Sequence, residues 1–181
     1  MKPLYKGLTI AVVHLLIVSS LGAKLLIDRA ARPRVWVRAA SYDPDTPLRG
    51  RYASLQINVD IPPEKQAACE KILDQTKQHH VGEWIGNYPS GRLEVREGKL
   101  VVIDDPCCGE INYGSRLGPN GLQSVLSTPV AFYLPEHVPD PTIGKPGREL
   151  WVEVTIPRKG PPRPIRLGYK ENGKLTPLDL R

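Results

Sequence analysis

A run of alternating apolar and polar side chains over residues 52–61 sets the strongest limit on what this chain can fold into. Its apolar members lie two positions apart, as on the buried face of a β-strand, and are Ala53, Leu55, Ile57 and Val59. The chain also contains 19 prolines in 181 residues, roughly twice the average share of about 5%. Because proline breaks helices and restricts strands to short pieces, the sequence predicts a mainly β protein.

Further short segments with apolar or alternating patterns predict the other strands. They cover residues 35–40, 92–96, 100–103, 130–134, 150–156 and 165–167, with a last short strand about Leu175. A turn at Pro89-Ser90-Gly91 leads into one predicted hairpin, which Glu97-Gly98 closes. Asn172-Gly173 predicts a second hairpin. Residues 104–129, rich in Gly, Pro, Asn and Ser, are predicted to be a loop.

One segment outside the N-terminus has the composition of a helix. Residues 63–80 begin with proline in the first turn and carry Ala67, Ala68, Ile72 and Leu73 along one side. Closing the strands on themselves would leave few exposed sheet edges. The predicted fold is therefore a small antiparallel β barrel or sandwich with one inserted helix.

The N-terminal region is long and apolar enough to cross a membrane. Residues 7–23 contain no Asp, Glu, Lys or Arg, and extension to Ile27 gives a helix of about 30 Å, the thickness of a hydrocarbon core. The predicted organisation is a tail at 1–6, a single transmembrane anchor at 7–27, a stalk at 28–34 and the β domain at 35–181. A cleaved signal peptide is the alternative, although no clear A-x-A-like cleavage site follows the apolar centre.

The formal charge of +6 arises from scattered basic residues. They follow the apolar segment and recur in the C-terminal tail without forming a dense run, which favours attraction to anionic lipid headgroups over nucleic-acid binding. Lys2 and Lys6 favour a cytoplasmic N-terminus. Arg29 and Arg32, among other cations behind the segment, favour the opposite orientation.

Residues 41–55 join the first two predicted strands through an Asp-Pro/Thr-Pro turn that ends on Gly50. Tyr52 and Leu55, three positions apart in a strand, are predicted to face opposite sides. The turn is interpreted first as the element that sets strand register, and second as a binding loop.

This segment resembles the motif of the bacterial GDYXXLXY proteins, small proteins with an N-terminal membrane anchor. The matching residues are Asp43, Pro44, Leu48, Gly50, Tyr52 and Leu55. Arg51 stands where the family has Asp, and Ile57 where it has the final aromatic residue. Residues 130–136 and 167–178 resemble its later strand and terminal hairpin, and residues 63–80 are an insertion. The resemblance implies an anchored, extracytoplasmic domain of the inner membrane without an established activity.

The same residues also resemble signal-peptidase-like serine proteases, which would make Ser41 a nucleophile. That mechanism needs a lysine base beside the serine. The expected position of the base is occupied by Asp140-Pro141-Thr142. The sequence therefore disfavours a serine hydrolase.

Three cysteines offer a different chemistry. Cys107 and Cys108 could form a vicinal disulfide, or one of them could pair with Cys69 in an oxidising compartment. A thiol or metal module with a nearby histidine is a further alternative, but the cysteine spacing does not match a zinc site.

These patterns favour a non-enzymatic, membrane-anchored domain in the bacterial envelope. It is predicted to bind or scaffold a membrane or envelope partner. No cofactor, metal, nucleic acid or small-molecule ligand is predicted.

Overall fold

A computed structural model describes residues 3–42, 52–75, 80–105, 107, 109–118, 121–138, 141 and 147–180. The chain divides into two compact units, Met1–Arg32 and Pro33–Arg181. The first consists of helix α1, and the second contains all the strands.

Helix α1, Pro3–Ala31, is long and apolar enough to cross a membrane. Its most apolar stretch, Gly7–Lys24, has a mean hydropathy of 1.7 and buries none of its length in protein. Two polar side chains within it bond to the helix itself, since Ser20 donates to the carbonyl of Ile17 at 2.8 Å and His14 Nδ1 lies 3.1 Å from the carbonyl of Ile10. The helix is thus compatible with a transmembrane anchor, and a signal sequence would have the same properties.

The second unit contains one helix and ten strands among its described residues. Helix α2 is Pro63–Gln75. The strands are β1 (Arg34–Ser41), β2 (Tyr52–Ile57), β3 (Trp84–Arg96), β4 (Lys99–Asp104), β5 (Ile111–Gly118), β6 (Gly121–Leu126), β7 (Val130–Tyr133), β8 (Glu149–Thr155), β9 (Arg163–Glu171) and β10 (Lys174–Pro177). The prediction of a mainly β domain with one inserted helix is confirmed.

The strands form two antiparallel sheets, of order β10-β9-β8-β1-β2-β7 and β4-β3-β5-β6. The segment after β2 connects both edges of the smaller sheet. The amide of Val59 donates to Ser124 on β6 at 2.9 Å, and Asp60 exchanges 2.8 Å bonds with Leu100 and Val102 on β4. Residues 58–60 thus close the smaller sheet into a barrel-like ring and leave neither of its edges unpaired along this segment.

One hydrophobic core is shared by the two sheets. The larger sheet contributes alternate residues, such as Val35 and Val37 from β1 and Val152 and Val154 from β8. The smaller sheet contributes Tyr113, whose side chain is fully buried, together with Leu93, Leu100, Val102, Ile111 and Leu126. The period-two alternation predicted for residues 52–61 is confirmed, since Ala53, Leu55, Ile57 and Val59 are all buried.

The prediction of a loop over residues 104–129 was wrong. This region contains β5 and β6, which pair through six register positions. Its glycines suggested a loop, but Gly114 allows close strand contact, since a Cβ there would lie 2.2 Å from the carbonyl oxygen of Gly86. Gly121 supplies a positive φ of 102° where β6 begins, after residues 119–120, which lie outside the described part.

Three further boundaries differ from expectation. The Pro89-Ser90-Gly91 segment lies inside β3, where Ser90 has φ 64° and the pairing with β5 shifts register, so it is a bulge and not a turn. Strand β2 ends at Ile57. The amide of Asn58 still donates to the carbonyl of Arg38 on β1 at 3.0 Å, and residues 58–60 then pair with the smaller sheet. Helix α2 ends at Gln75, and His80 is not helical, whereas the sequence predicted a helix to residue 80.

The orientation of α2 also corrects the sequence interpretation. Its buried side carries Cys69, with Lys65 and Leu73 half-buried one turn away on either side. Ala67, Ala68 and Ile72 are exposed. A cysteine, which behaves as a small hydrophobic residue, and the apolar stem of a lysine pack against the sheet in place of the alanines.

Candidate functional site

Helix α2 meets the smaller sheet at a cluster of five side chains, here called the α2 cluster. Its members are Lys65, Cys69, Tyr88, Asp104 and Tyr113. Lys65 and Cys69 lie one turn apart on α2, whereas the other three come from β3, β4 and β5. The cluster therefore joins residues from four elements that are distant in the sequence.

The Lys65 ammonium is the centre of the α2 cluster. It donates to the carboxylate of Asp104 at 2.6 Å and to the hydroxyl oxygen of Tyr113 at 2.7 Å, and Tyr113 itself donates to Asp104. The ammonium also lies 4.4 Å from the centre of the Tyr88 ring. Behind it, the fully buried Cys69 thiol lies 3.1 Å from the Tyr88 hydroxyl.

These contacts set the protonation states of the cluster. Burial lowers the pKa of Lys65, but its hydrogen bonds to Asp104 and Tyr113 outweigh burial and raise the pKa above its ordinary value. Hydrogen bonds from Lys65 and then Tyr113 lower the pKa of Asp104. Burial, followed by the hydrogen bond with Cys69, raises the pKa of Tyr88 to about 12. Burial and Asp104 together raise the pKa of Tyr113.

Each of these four pKa shifts moves the group concerned further from titration near neutral pH. A catalytic lysine or tyrosine needs a lowered pKa, and a catalytic acid of the carboxyl type needs a raised one. Here the lysine stays charged, the carboxylate stays ionised and both phenols stay neutral. This arrangement fastens α2 to the sheet by charge-assisted hydrogen bonds and does not prepare these four groups for proton transfer.

Acidification is expected to remove the stability that the pairing of Asp104 contributes. Because the pKa of Asp104 is lowered on folding from about 3.8, this contribution is complete above that value and is lost as pH falls through the folded pKa. The Asp104→Asn variant should therefore lose less thermal stability than wild type between about pH 5 and pH 2. Circular-dichroism melting of the full chain in detergent micelles measures this.

The matched control for the acid experiment is Asp74→Asn, which removes a carboxylate from an exposed position of α2. Its pH dependence should follow that of wild type. An Asp104→Asn variant with the wild-type pH dependence would contradict the assigned role of Asp104.

A second candidate site lies on the outer face of the larger sheet. Because alternate residues of β1 and β8 point into the core, the intervening ones point outward and align across the strands. One row joins Trp36, Glu153 and Arg166, and the next joins Arg38, Trp151 and Gly168. Lys170 follows, opposite Glu149. This surface, here called the basic face, comprises Arg34, Trp36, Arg38, Glu149, Trp151, Glu153, Arg166 and Lys170.

The aromatic rings of the basic face support its cations. The Lys170 ammonium lies 4.4 Å from the centre of the Trp151 ring, and the Arg166 guanidinium lies 5.9 Å from that of Trp36. Arg166 is also fixed by a 2.7 Å bond to Glu153, whose side chain is 8% exposed. Within the described part of the chain, no carboxylate lies within ion-pair distance of Lys170. Its ammonium is therefore supported by an aromatic ring and not by an ion pair with a described residue.

At one end of the basic face, an open cleft of about 490 Å³ lies beside the β9–β10 turn. Its walls carry Arg38, Arg148, Lys170, Glu149 and Asn172, and the two glycines 147 and 173 complete it. Here it is called the basic cleft. Three cations and one carboxylate give the described residues of this lining a formal charge of +2.

The residues of the motif at 41–55 are only partly described. Leu55 is fully buried in β2, whereas Tyr52 is half-exposed and its ring meets that of Tyr133 edge-on at 6.3 Å, which confirms that the two point to opposite sides. Ser41 is the last residue of β1 and pairs with Leu55, so it lies in a strand and not in a turn. Five motif residues lie outside the described part: Asp43, Pro44, Leu48, Gly50 and Arg51.

The cysteines are in different surroundings. Cys69 is buried and Cys107 exposed, and both have free thiols, whereas Cys108 is outside the described residues. No three His, Cys, Asp or Glu side chains in the described ranges are grouped closely enough to hold a metal ion.

Neither site was identified from the sequence. Asp104 and Tyr113 both fell in the segment predicted to be a loop. The cations Arg34, Arg38, Arg166 and Lys170 were seen as scattered. The available signal was the outward half of each alternation, Arg-x-Trp-x-Arg in β1 and Glu-x-Trp-x-Glu in β8.

Comparison with known proteins adds no relative from which a function could be transferred. No protein-family model, curated protein or solved structure matches the chain. The function of the chain has therefore to be inferred from its own residues, chiefly those of the basic face and the α2 cluster.

Proposed function

We propose that this chain is a non-enzymatic, membrane-anchored domain that binds an anionic partner in the membrane or envelope through the basic face. The observation that carries the proposal is the support of cations on tryptophan rings across β1, β8 and β9. A charged surface that is already ordered loses less entropy on binding than flexible lysines and arginines would.

Two other features support this function. Helix α1 is long and apolar enough to hold the domain at a membrane, where it would meet its partner at high effective concentration. The titratable groups of the α2 cluster have protonation states suited to fastening a helix. The proposal therefore assigns binding to the basic face and a structural role to the cluster.

The cellular setting is part of the same proposal. We place the anchor in the inner membrane and the domain outside the cytoplasm, as in the GDYXXLXY proteins that residues 43–55 resemble. The buried position of Leu55 supports an architectural role for that motif, because it holds β2 between β1 and β7.

Site-specific photo-crosslinking in intact cells tests where the partner binds. A photoreactive residue at Ala40, exposed on the outer side of β1, is expected to give a discrete adduct that decreases with added salt. The same residue at Lys71, exposed on α2, is the matched control and should give no such adduct.

The identity of the adduct decides the outcome. An anionic membrane or envelope component captured from Ala40 and not from Lys71 would support the proposal. No adduct at Ala40, or a salt-insensitive one of equal yield from both positions, would contradict it.

A further inference from the structure

We infer that the basic cleft binds a phosphate monoester carried on a polar body of about the size of a sugar. This inference rests on the proposed function and names the chemical group that the basic face would recognise. Three observations carry it: the charge of the described lining, the N–H groups that its cations do not use in bonds to neighbouring residues, and the polarity of its walls.

The charge of the cleft suits a dianion. Arg38, Arg148 and Lys170 against Glu149 leave a formal charge of +2 on the described residues of the lining. A phosphate monoester carries about −1.5 to −2 at neutral pH, whereas a carboxylate carries −1. Glu171 bonds Arg148, and Lys174 lies opposite Glu171 in the β9–β10 ladder, so these two charges offset one another next to the cleft.

The donors of the cleft are oriented by contacts that leave other N–H groups for a ligand. Arg148 bonds Glu171 through Nε at 3.2 Å, which leaves its two terminal Nη groups out of that bond. Arg38 approaches Glu149 through Nη2 at 3.4 Å. The ammonium of Lys170 lies on Trp151 and donates to no carboxylate among the described residues. Two guanidinium forks and one ammonium match the several oxygens of a phosphate.

The walls of the cleft favour a polar body attached to the phosphate. About 490 Å³ lies within the usual range of small-molecule sites, roughly 300–1,000 Å³. Among the described residues of the lining, every side chain is charged or is the amide of Asn172, and the glycines contribute backbone. An apolar group would gain little there, whereas the hydroxyls of a sugar or polyol would find donors and acceptors.

Calorimetric titration of the full chain in nanodiscs of zwitterionic lipid tests the inference. Glycerol 3-phosphate is expected to bind with a dissociation constant below about 1 mM, and glycerol should not bind. Lys170→Gln and Arg148→Gln should each weaken binding at least tenfold. Lys71→Gln, which removes an exposed lysine of α2, should leave it unchanged.

A second arm uses poly(glycerol phosphate) that ends in a phosphate monoester, with the phosphatase-treated polymer as its control, to distinguish the source of the group. Binding of the monoester alone would support a free sugar phosphate as the ligand. Binding of both would support a phosphate at the end of an envelope polymer. Binding of neither, binding of the polymer alone, or monoester binding unaffected by Lys170→Gln would overturn the inference.

The titration tests the phosphate site and the crosslinking tests the proposed function, so that a negative result in one does not decide the other. A salt-sensitive adduct at Ala40 together with no monoester binding would leave the proposed function standing and reject only the phosphate site. Loss of the Ala40 adduct would reject the proposed function itself.

Discussion

Replacement of Gly114 with alanine is expected to lower the free energy of unfolding by about 3 kcal/mol, at the upper end of the cost of overpacking. A Cβ at this position of β5 would lie 2.2 Å from the carbonyl oxygen of Gly86 and 3.0 Å from the Trp84 ring. The first neighbour is backbone of β3, which cannot retreat without disturbing the β3–β5 ladder. Urea denaturation of the full chain in detergent micelles, followed by tryptophan fluorescence, measures the loss.

The control for Gly114 is Gly173→Ala. Gly173 has φ 81° and no neighbour within 4 Å of a Cβ, so its replacement costs only backbone strain, about 1 kcal/mol. Equal losses of unfolding free energy in the two variants would contradict the view that close contact between β3 and β5 requires a glycine at position 114.

Truncation of Leu55 to alanine is expected to cost about 3 kcal/mol of folding free energy, within the range for buried leucines. Leu55 is fully buried and pairs with Ser41 of β1 on one side and Val130 of β7 on the other. A cavity there would lie in the core shared by both sheets, where the surrounding strands can collapse little. The same denaturation experiment measures it.

Tyr52→Leu is the comparison within the same motif. Tyr52 is half-exposed and loses only its edge-on contact with Tyr133, so we expect a cost of about 1 kcal/mol. A larger loss at Tyr52 than at Leu55 would contradict an architectural role for the motif and favour one that depends on the exposed ring.

The parts of the fold that follow from local pattern could be predicted from the sequence. Alternation identified the buried residues of the run that begins in β2. Asn172-Gly173, with φ 50° and 81°, forms the predicted hairpin turn between β9 and β10. The pairing of β5 with β3 could not be predicted, because a glycine in a sequence is as consistent with a turn as with close contact between two backbones. Which meaning applies at Gly114 depends on Gly86, 28 positions earlier in the chain.

The candidate sites were hidden for a related reason. The α2 cluster joins Lys65 to Asp104 and Tyr113, partners 39 and 48 residues away, and no local pattern encodes such a meeting. The basic face needs the strand order β9-β8-β1, in which β1 lies beside a strand more than a hundred residues later. Alternation indicated which residues point outward, but only the register brings Lys170 onto Trp151.

The most direct test of the central claim, recognition of an anionic partner by the basic face, is charge reversal combined with crosslinking from Ala40. We expect Lys170→Glu to reduce the yield of the Ala40 adduct at least tenfold, because it places a negative charge on the surface that the partner contacts. Lys71→Glu changes the net charge equally on exposed α2 and should leave the yield unchanged. Equal yields from wild type and Lys170→Glu would contradict the claim.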